Sequence, residues 1–163
     1  MSQNQINTTL SFLNFEEILQ YVEIPKLRID GNSNTANTKR PRGRVSPDGD
    51  GEGRTDLVYV FNELRGRKVK TILKVIVDDL AEPAHSDEAI EKALDKMGVE
   101  IWDWKKTDLC TEVIQTAAPN VREVHLYWSG NNAVLRGWSE EGGLKQLKEL
   151  TTVHLHVQKV RCN

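Results

Sequence analysis

Residues 144–157 read LKQLKELTTVHLHV, and residues 121–132 read VREVHLYWSGNN. The first places Leu144, Leu147, Leu150, Val153 and Leu155 at the L-x-x-L-x-x-L-x-x-L-x-L spacing of a leucine-rich repeat, and the second repeats its last half through Val121, Val124 and Leu126. Val-His-Leu occurs twice because each copy fills the same slot, a short extended segment in which aliphatic and polar side chains alternate.

Upstream segments fit the same scheme. KTILKVIVDD, residues 70–79, is short, apolar on both faces and rich in β-branched residues (Ile72, Val75, Ile76, Val77), as a buried parallel strand should be. SDEAIEKALDKM, residues 86–97, predicts a helix with Ser86 as N-cap, acids in its first turn, Ala89, Ile90, Ala93, Leu94 and Met97 inward, and Gly98 as its stop. VEIWDW (99–104) and REVHLYW (122–128) read as strands flanking a helix in TDLCTEVIQTAAP (107–119), capped by Thr107 and ended by Pro119. A helix over DLVYVFNELRGRK (56–68) precedes them, and residues 129–150 read as a broken helical stretch with Asn131 or Asn132 as cap. Val75, Ile101, Val124 and Val153 follow one another at 26, 23 and 29 positions. The expected fold is therefore α/β: βα repeats forming a small, mainly parallel sheet, either leucine-rich-repeat-like or an open three-layer arrangement.

The remaining segments are less regular. Phe12, Phe15, Ile18 and Leu19 stand at helical offsets, predicting a helix within residues 11–21, followed by an extended VEIPKLRI. Residues 30–56 lack apolar periodicity and read as a linker or loop. Its basic KRPRGR is followed at once by acidic residues, and DGDGEG lacks the distal glutamate of a calcium loop, so neither is taken as a site. The division expected is residues 1–29 packing on the main domain, 30–56 as linker, 57–160 as the repeat domain and 161–163 as a tail.

Twenty-two Lys and Arg against 24 Asp and Glu, a net charge of -2, argue against nucleic acid as a partner. Cys110 and Cys162 form no disulfide framework, and no apolar run is long enough for a membrane span or follows a basic leader. The chain reads as intracellular and cytoplasmic.

Alternation along the strands divides VEIWDW into Val99, Ile101 and Asp103 against Glu100, Trp102 and Trp104. With helices on the aliphatic side, the opposite side would expose Trp102, Trp104, His125, Tyr127, His154 and His156, bordered by Glu100 and Glu123, a composition suited to binding a protein. The alternative is a second layer that makes these aromatics core. A zinc site from His125, His154 and His156 lacks an evident further ligand, so packed or solvated histidines are the expectation, and no metal or cofactor is assigned. Asp78, Asp79 and Asp103 fall at strand C-terminal ends, where open α/β sheets bind ligands, and offer an alternative acidic site for a metal-dependent enzyme. No phosphate loop accompanies them, and capping or surface roles are preferred. Cys110, on the apolar stripe of its helix, is expected to be a buried inert thiol.

The phrases FEEILQYVEIPKL, KVIVDDLAEPAHSDEAIEKAL, VEIWDWKKTDLCTEVI and VREVHLYWSGNNAVLRGWSEEGGLKQLKELTTVHLHV closely resemble the region preceding the peptidase domain in fungal intracellular subtilisin-like serine peptidases. The resemblance spans most residues outside the linker. It implies a non-catalytic accessory or protein-interaction domain whose partner is a subtilisin-like domain. The family's Asp-Ser/Thr-Gly, His-Gly-Thr and Gly-Thr-Ser-x-Ala motifs do not occur here, so no catalytic residue is carried over and this polypeptide is not expected to be an enzyme.

Overall fold

A computed structural model describes residues 2–27 and 54–157 of the chain. Its elements in order are α1 (Gln3–Ser11), β1 (Ile18–Ile24), α2 (Leu57–Gly66), β2 (Thr71–Asp78), α3 (Asp87–Leu94), β3 (Ile101–Lys105), α4 (Thr111–Ala117), β4 (Glu123–Trp128), α5 (Asn132–Ser139), a 3-10 turn at Leu144–Gln146 and β5 (Thr152–Val157). The protein is an α/β fold in which all five strands are parallel and lie in the order β1-β2-β3-β4-β5. A parallel sheet wound in sequential order with crossovers of one hand keeps its connecting helices on one face. In agreement, α1 packs on α2, α2 on α3 and α3 on α4. The result is two layers, as in a leucine-rich repeat. Among the described residues no element covers the second face of the sheet, so they form no third layer.

The core lies between the strands and α2, α3 and α4. Ile72, Val75 and Val77 of β2, Trp102 and Trp104 of β3, and Val124 and Leu126 of β4 meet Phe61, Leu64, Ile90, Leu94, Val113 and Ile114 from the helices, all buried. The register sets these rows side by side, with Ile24 on Val77, Val75 on Trp102, Val77 on Trp104, and Trp102 on Val124. Helices α3 and α5 begin at residues whose side chains cap them. Ser86 Oγ accepts the Ala89 amide at 3.2 Å and starts α3, and the Asn131 side chain accepts the Ala133 amide at 3.0 Å and starts α5. Gly98 takes φ +63° in the turn into β3, and a Cβ there would press on Thr71 Cγ2 at 3.3 Å.

Three sequence expectations are corrected. The N-terminal helix spans Gln3–Ser11, started by a capping box between Ser2 and Gln5, while Ile18 and Leu19, expected in a helix, open strand β1. Pairing with the buried β2 outweighs the helical spacing of these apolar residues, and β1 forms an edge strand of the main sheet. Helix α4 starts after Cys110, not at Thr107, and Cys110 is exposed rather than buried. The KRPRGR and DGDGEG stretches, most of the expected linker, Cys162 and the 161–163 tail lie outside the described residues.

Candidate functional site

The uncovered face of the sheet carries the polar half of each strand. On β4 and β5 the register pairs Glu123 with Thr152, His125 with His154, and Tyr127 with His156, so alternation delivers one acid, three imidazoles and a phenol to adjoining points. The rings form a stack: the His125 ring centroid lies 4.3 Å from that of His154 and 5.3 Å from that of His156, and Tyr127 lies 4.6 Å from His156, with all ring planes nearly parallel. Glu123 Oε1 sits 3.2 Å from His125 Nε2 and 3.3 Å from His154 Nε2, while His125 Nδ1 is 3.1 Å from His156 Nε2. The stack continues toward β3, where the Tyr127 hydroxyl donates to Asp103 Oδ1 at 2.7 Å. Burial, the bond to Asp103, and the charges of Asp103 and Asp78 all raise the Tyr127 pKa, so the phenol stays protonated and remains a donor.

Trp102 and Trp104 do not belong to this face. They are 0% and 1% exposed, on the helix side of β3, where they pack against each other with ring centroids 6.2 Å apart. The expected phase of β3 is thereby reversed: Ile101 and Asp103 point to the open side. Tryptophans paired in register with Val75, Val77 and Val124 remove far more apolar surface from water than Ile101 could in the same rows. The six residues expected to share one surface therefore separate into two core tryptophans and a His125, Tyr127, His154 and His156 cluster.

Asp78, Asp79 and Asp103 do not form a common site. Asp103 and Asp78 both influence Tyr127, whereas Asp79 is 1% exposed and committed to the core. Its Oδ1 lies 2.8 Å from His85 Nδ1, its Oδ2 accepts the Trp104 indole N–H at 2.8 Å, and both oxygens face the His85 amide. On the other side of the ring, His85 Nε2 is 2.8 Å from Asp56 Oδ1, and Arg54 bonds both Asp56 oxygens at 3.1 and 2.7 Å. Arg54 also donates to the Leu27 carbonyl, so this network ties the chain before residue 28 to the chain after residue 53. The Leu57 amide lies 3.3 Å from Nε2 as well. With a carboxylate at each ring nitrogen, an imidazolium donating to both is the arrangement that satisfies the charges, and the Leu57 contact is then not a hydrogen bond. Burial alone would push the His85 pKa down, but the bonds to Asp56 and Asp79 and their charges carry it above its ordinary value. Burial would likewise raise the Asp79 pKa, but the bonds from His85 and Trp104 hold it below. Sequence reading took Asp79 for a surface or ligand acid and passed over His85. The available signal was a carboxylate ending a buried strand six residues before a histidine in the following loop.

Cys110 lines a shallow cleft with Thr111, Val134 and Trp138 and donates its thiol to Glu112. Burial and the bond to Glu112 raise the thiol pKa, the opposite of nucleophile activation. Among the described residues no helix is long and apolar enough to cross a membrane.

The end of the sheet is the second distinctive feature. Val153, Leu155 and Val157 of β5 pair with Val124, Leu126 and Trp128 and so lie on the helix side of the sheet. Val124 and Leu126 are 0% and 2% exposed, yet Val153, Leu155 and Val157 are 44%, 45% and 62% exposed. Among the described residues, β5 has a strand neighbour on one side only, and no helix covers its aliphatic row. Comparison of the chain with protein-family models, with curated proteins and with solved structures found no match.

Proposed function

We propose that this chain is a non-catalytic protein-interaction module that docks a partner domain on β5. The observation that supports this reading is the aliphatic row Val153, Leu155 and Val157, aligned with the core but uncovered. A parallel strand that is an edge among the described residues, beside an apolar row, offers main-chain pairing and a dry contact at once, the two ingredients of strand addition. The sequence resemblance supplies the partner's class, a subtilisin-like peptidase domain, since the matching phrases run through β5. Commitment of Asp79 to His85 and Trp104 in the core removes it from the acidic-site alternative.

The test is binding of the purified chain to a recombinant subtilisin-like domain from the resembled family, followed by biolayer interferometry. Saturable binding that is lost in Val153→Asp and Leu155→Asp, with thermal unfolding of both variants close to that of the parent, is expected. Absence of binding by the parent chain, or equal binding by both variants, would contradict the proposal.

A further inference from the structure

We propose that Glu123, His125 and His154 form a binding site for a zinc-type divalent transition metal on the open face of the sheet. Among the described residues these three form the one group of His, Cys, Asp or Glu whose ligand atoms all lie within 4.8 Å of one another. The finer geometry is more telling. Metal–ligand bonds of about 2.0–2.1 Å at the tetrahedral angle place neighbouring ligand atoms about 3.3 Å apart. Glu123 Oε1 stands 3.2 Å from His125 Nε2 and 3.3 Å from His154 Nε2, matching two edges of that tetrahedron. The backbone enforces this. Glu123 and His125 are two residues apart on β4 and so share a face, and His154 is the register partner of His125 on β5. The ligands thus sit on rigid strands rather than on a loop, and because the His125 and His154 rings lie parallel at 4.3 Å, one of them turns about its Cβ–Cγ bond to bring both Nε2 lone pairs to the same ion.

His156, which sequence reasoning weighed as a zinc ligand before setting that site aside, takes a different part. Its Nε2 lies 3.1 Å from His125 Nδ1, the ring nitrogen left over when Nε2 binds metal. As acceptor of the His125 Nδ1–H it selects the tautomer that turns the Nε2 lone pair toward the ion, and it is itself held by stacking on Tyr127 at 4.6 Å. Protons satisfy the same atoms in another way, with both Nε2–H groups donating to Glu123 and His156 donating to His125. The metal takes the place of those two Nε2 protons. Two imidazoles and one carboxylate suit Zn2+ and neighbouring transition ions, whereas Mg2+ and Ca2+ prefer all-oxygen shells. Three protein ligands on a solvent-facing sheet leave the fourth position to water or to a donor group of a partner.

The experiment is titration of chelator-treated, tag-free protein with Zn2+ by calorimetry near neutral pH, with Co2+ as a spectroscopic stand-in. One site of ~10 µM or tighter is expected, with a visible Co2+ ligand-field band and a rise in Tm on saturation. Glu123→Gln and His154→Ala should each weaken Zn2+ binding at least ~10-fold, and His156→Phe should weaken it about 10- to 100-fold as an orienting group. All three lie on the open face, so their metal-free unfolding curves should overlay the parent's, which separates lost ligation from lost folding. Binding weaker than ~1 mM would overturn the site and leave a hydrogen-bonded cluster, and affinity unchanged in both Glu123→Gln and His154→Ala would overturn it by placing the ion elsewhere.

Discussion

Among the described residues the most buried charged side chains are His85 and Asp79, 2% and 1% exposed. A buried ion pair of this kind is costly to break on one side, because the remaining charge is left without a partner. Asp79→Asn should therefore destabilise the fold by about 3–5 kcal/mol in urea unfolding. The pH dependence follows from the directions of the two shifts. His85 is raised, so its contribution is fully present below about pH 6.5, its unfolded value, and is lost as pH rises through the raised value. Asp79 is lowered, so its contribution is present above about pH 3.9 and is lost as pH falls through the depressed value. Unfolding free energy should fall as pH rises above about 6.5, by at most ~1.4 kcal/mol per unit from this group, and Asp79→Asn should flatten that slope. An equal slope in parent and variant would remove the imidazolium from the account. Trp104 belongs to the same network through its indole N–H, and that bond explains why one of two neighbouring tryptophans is polar-anchored while Trp102 Nε1 has no partner among the described residues. The inward phase of β3 was legible in one detail: placing Ile101 inward also placed Asp103 in the core, an acid without a partner there. His85 was far less legible, because its partners Asp56 and Asp79 come from segments on opposite sides of α2 in sequence.

At the scale of elements, the strands and helices from α2 onward follow directly from periodicity and caps. Ser86 and Asn131 cap as their residue types suggest, because an extended backbone there aims the side-chain oxygen at an otherwise unpaired amide. Helix α4 shows what happens without such a residue. Cys110 has the extended cap geometry, φ -71° and ψ 143°, yet makes no capping bond. Cys110→Ser should stabilise the protein by about 0.5–1 kcal/mol, measured as a shift in urea midpoint with unchanged m-value. A loss of stability would show that the thiol bond to Glu112 matters more than the missing cap. The N-terminal helix was misplaced because Phe12, Phe15, Ile18 and Leu19 fit helical spacing, while the strand β1 depends on pairing with β2 across a long sequence separation that local pattern cannot show.

At the scale of the whole molecule, the sequential parallel order explains both the core and the two surfaces assigned above. One-sided winding buries the aliphatic rows of β2, β3 and β4 under helices and leaves the polar rows on an open face, where the histidines of β4 and β5 meet. Among the described residues it also leaves the aliphatic row of β5 without a helix over it. Repeat spacing made the alternation of strand and helix and the parallel sheet readable, but left one-sided and two-sided cover open. What spacing does not encode is coverage, since Val153, Leu155 and Val157 have the same pattern as their buried counterparts. The most direct test compares two leucines that are register partners, Leu126 and Leu155. If the helix layer ends before β5, Leu126→Ala should cost about 2–5 kcal/mol of unfolding free energy, and Leu155→Ala less than ~1 kcal/mol. Equal losses at the two positions would mean that β5 is covered after all, and with it the proposed docking row would disappear.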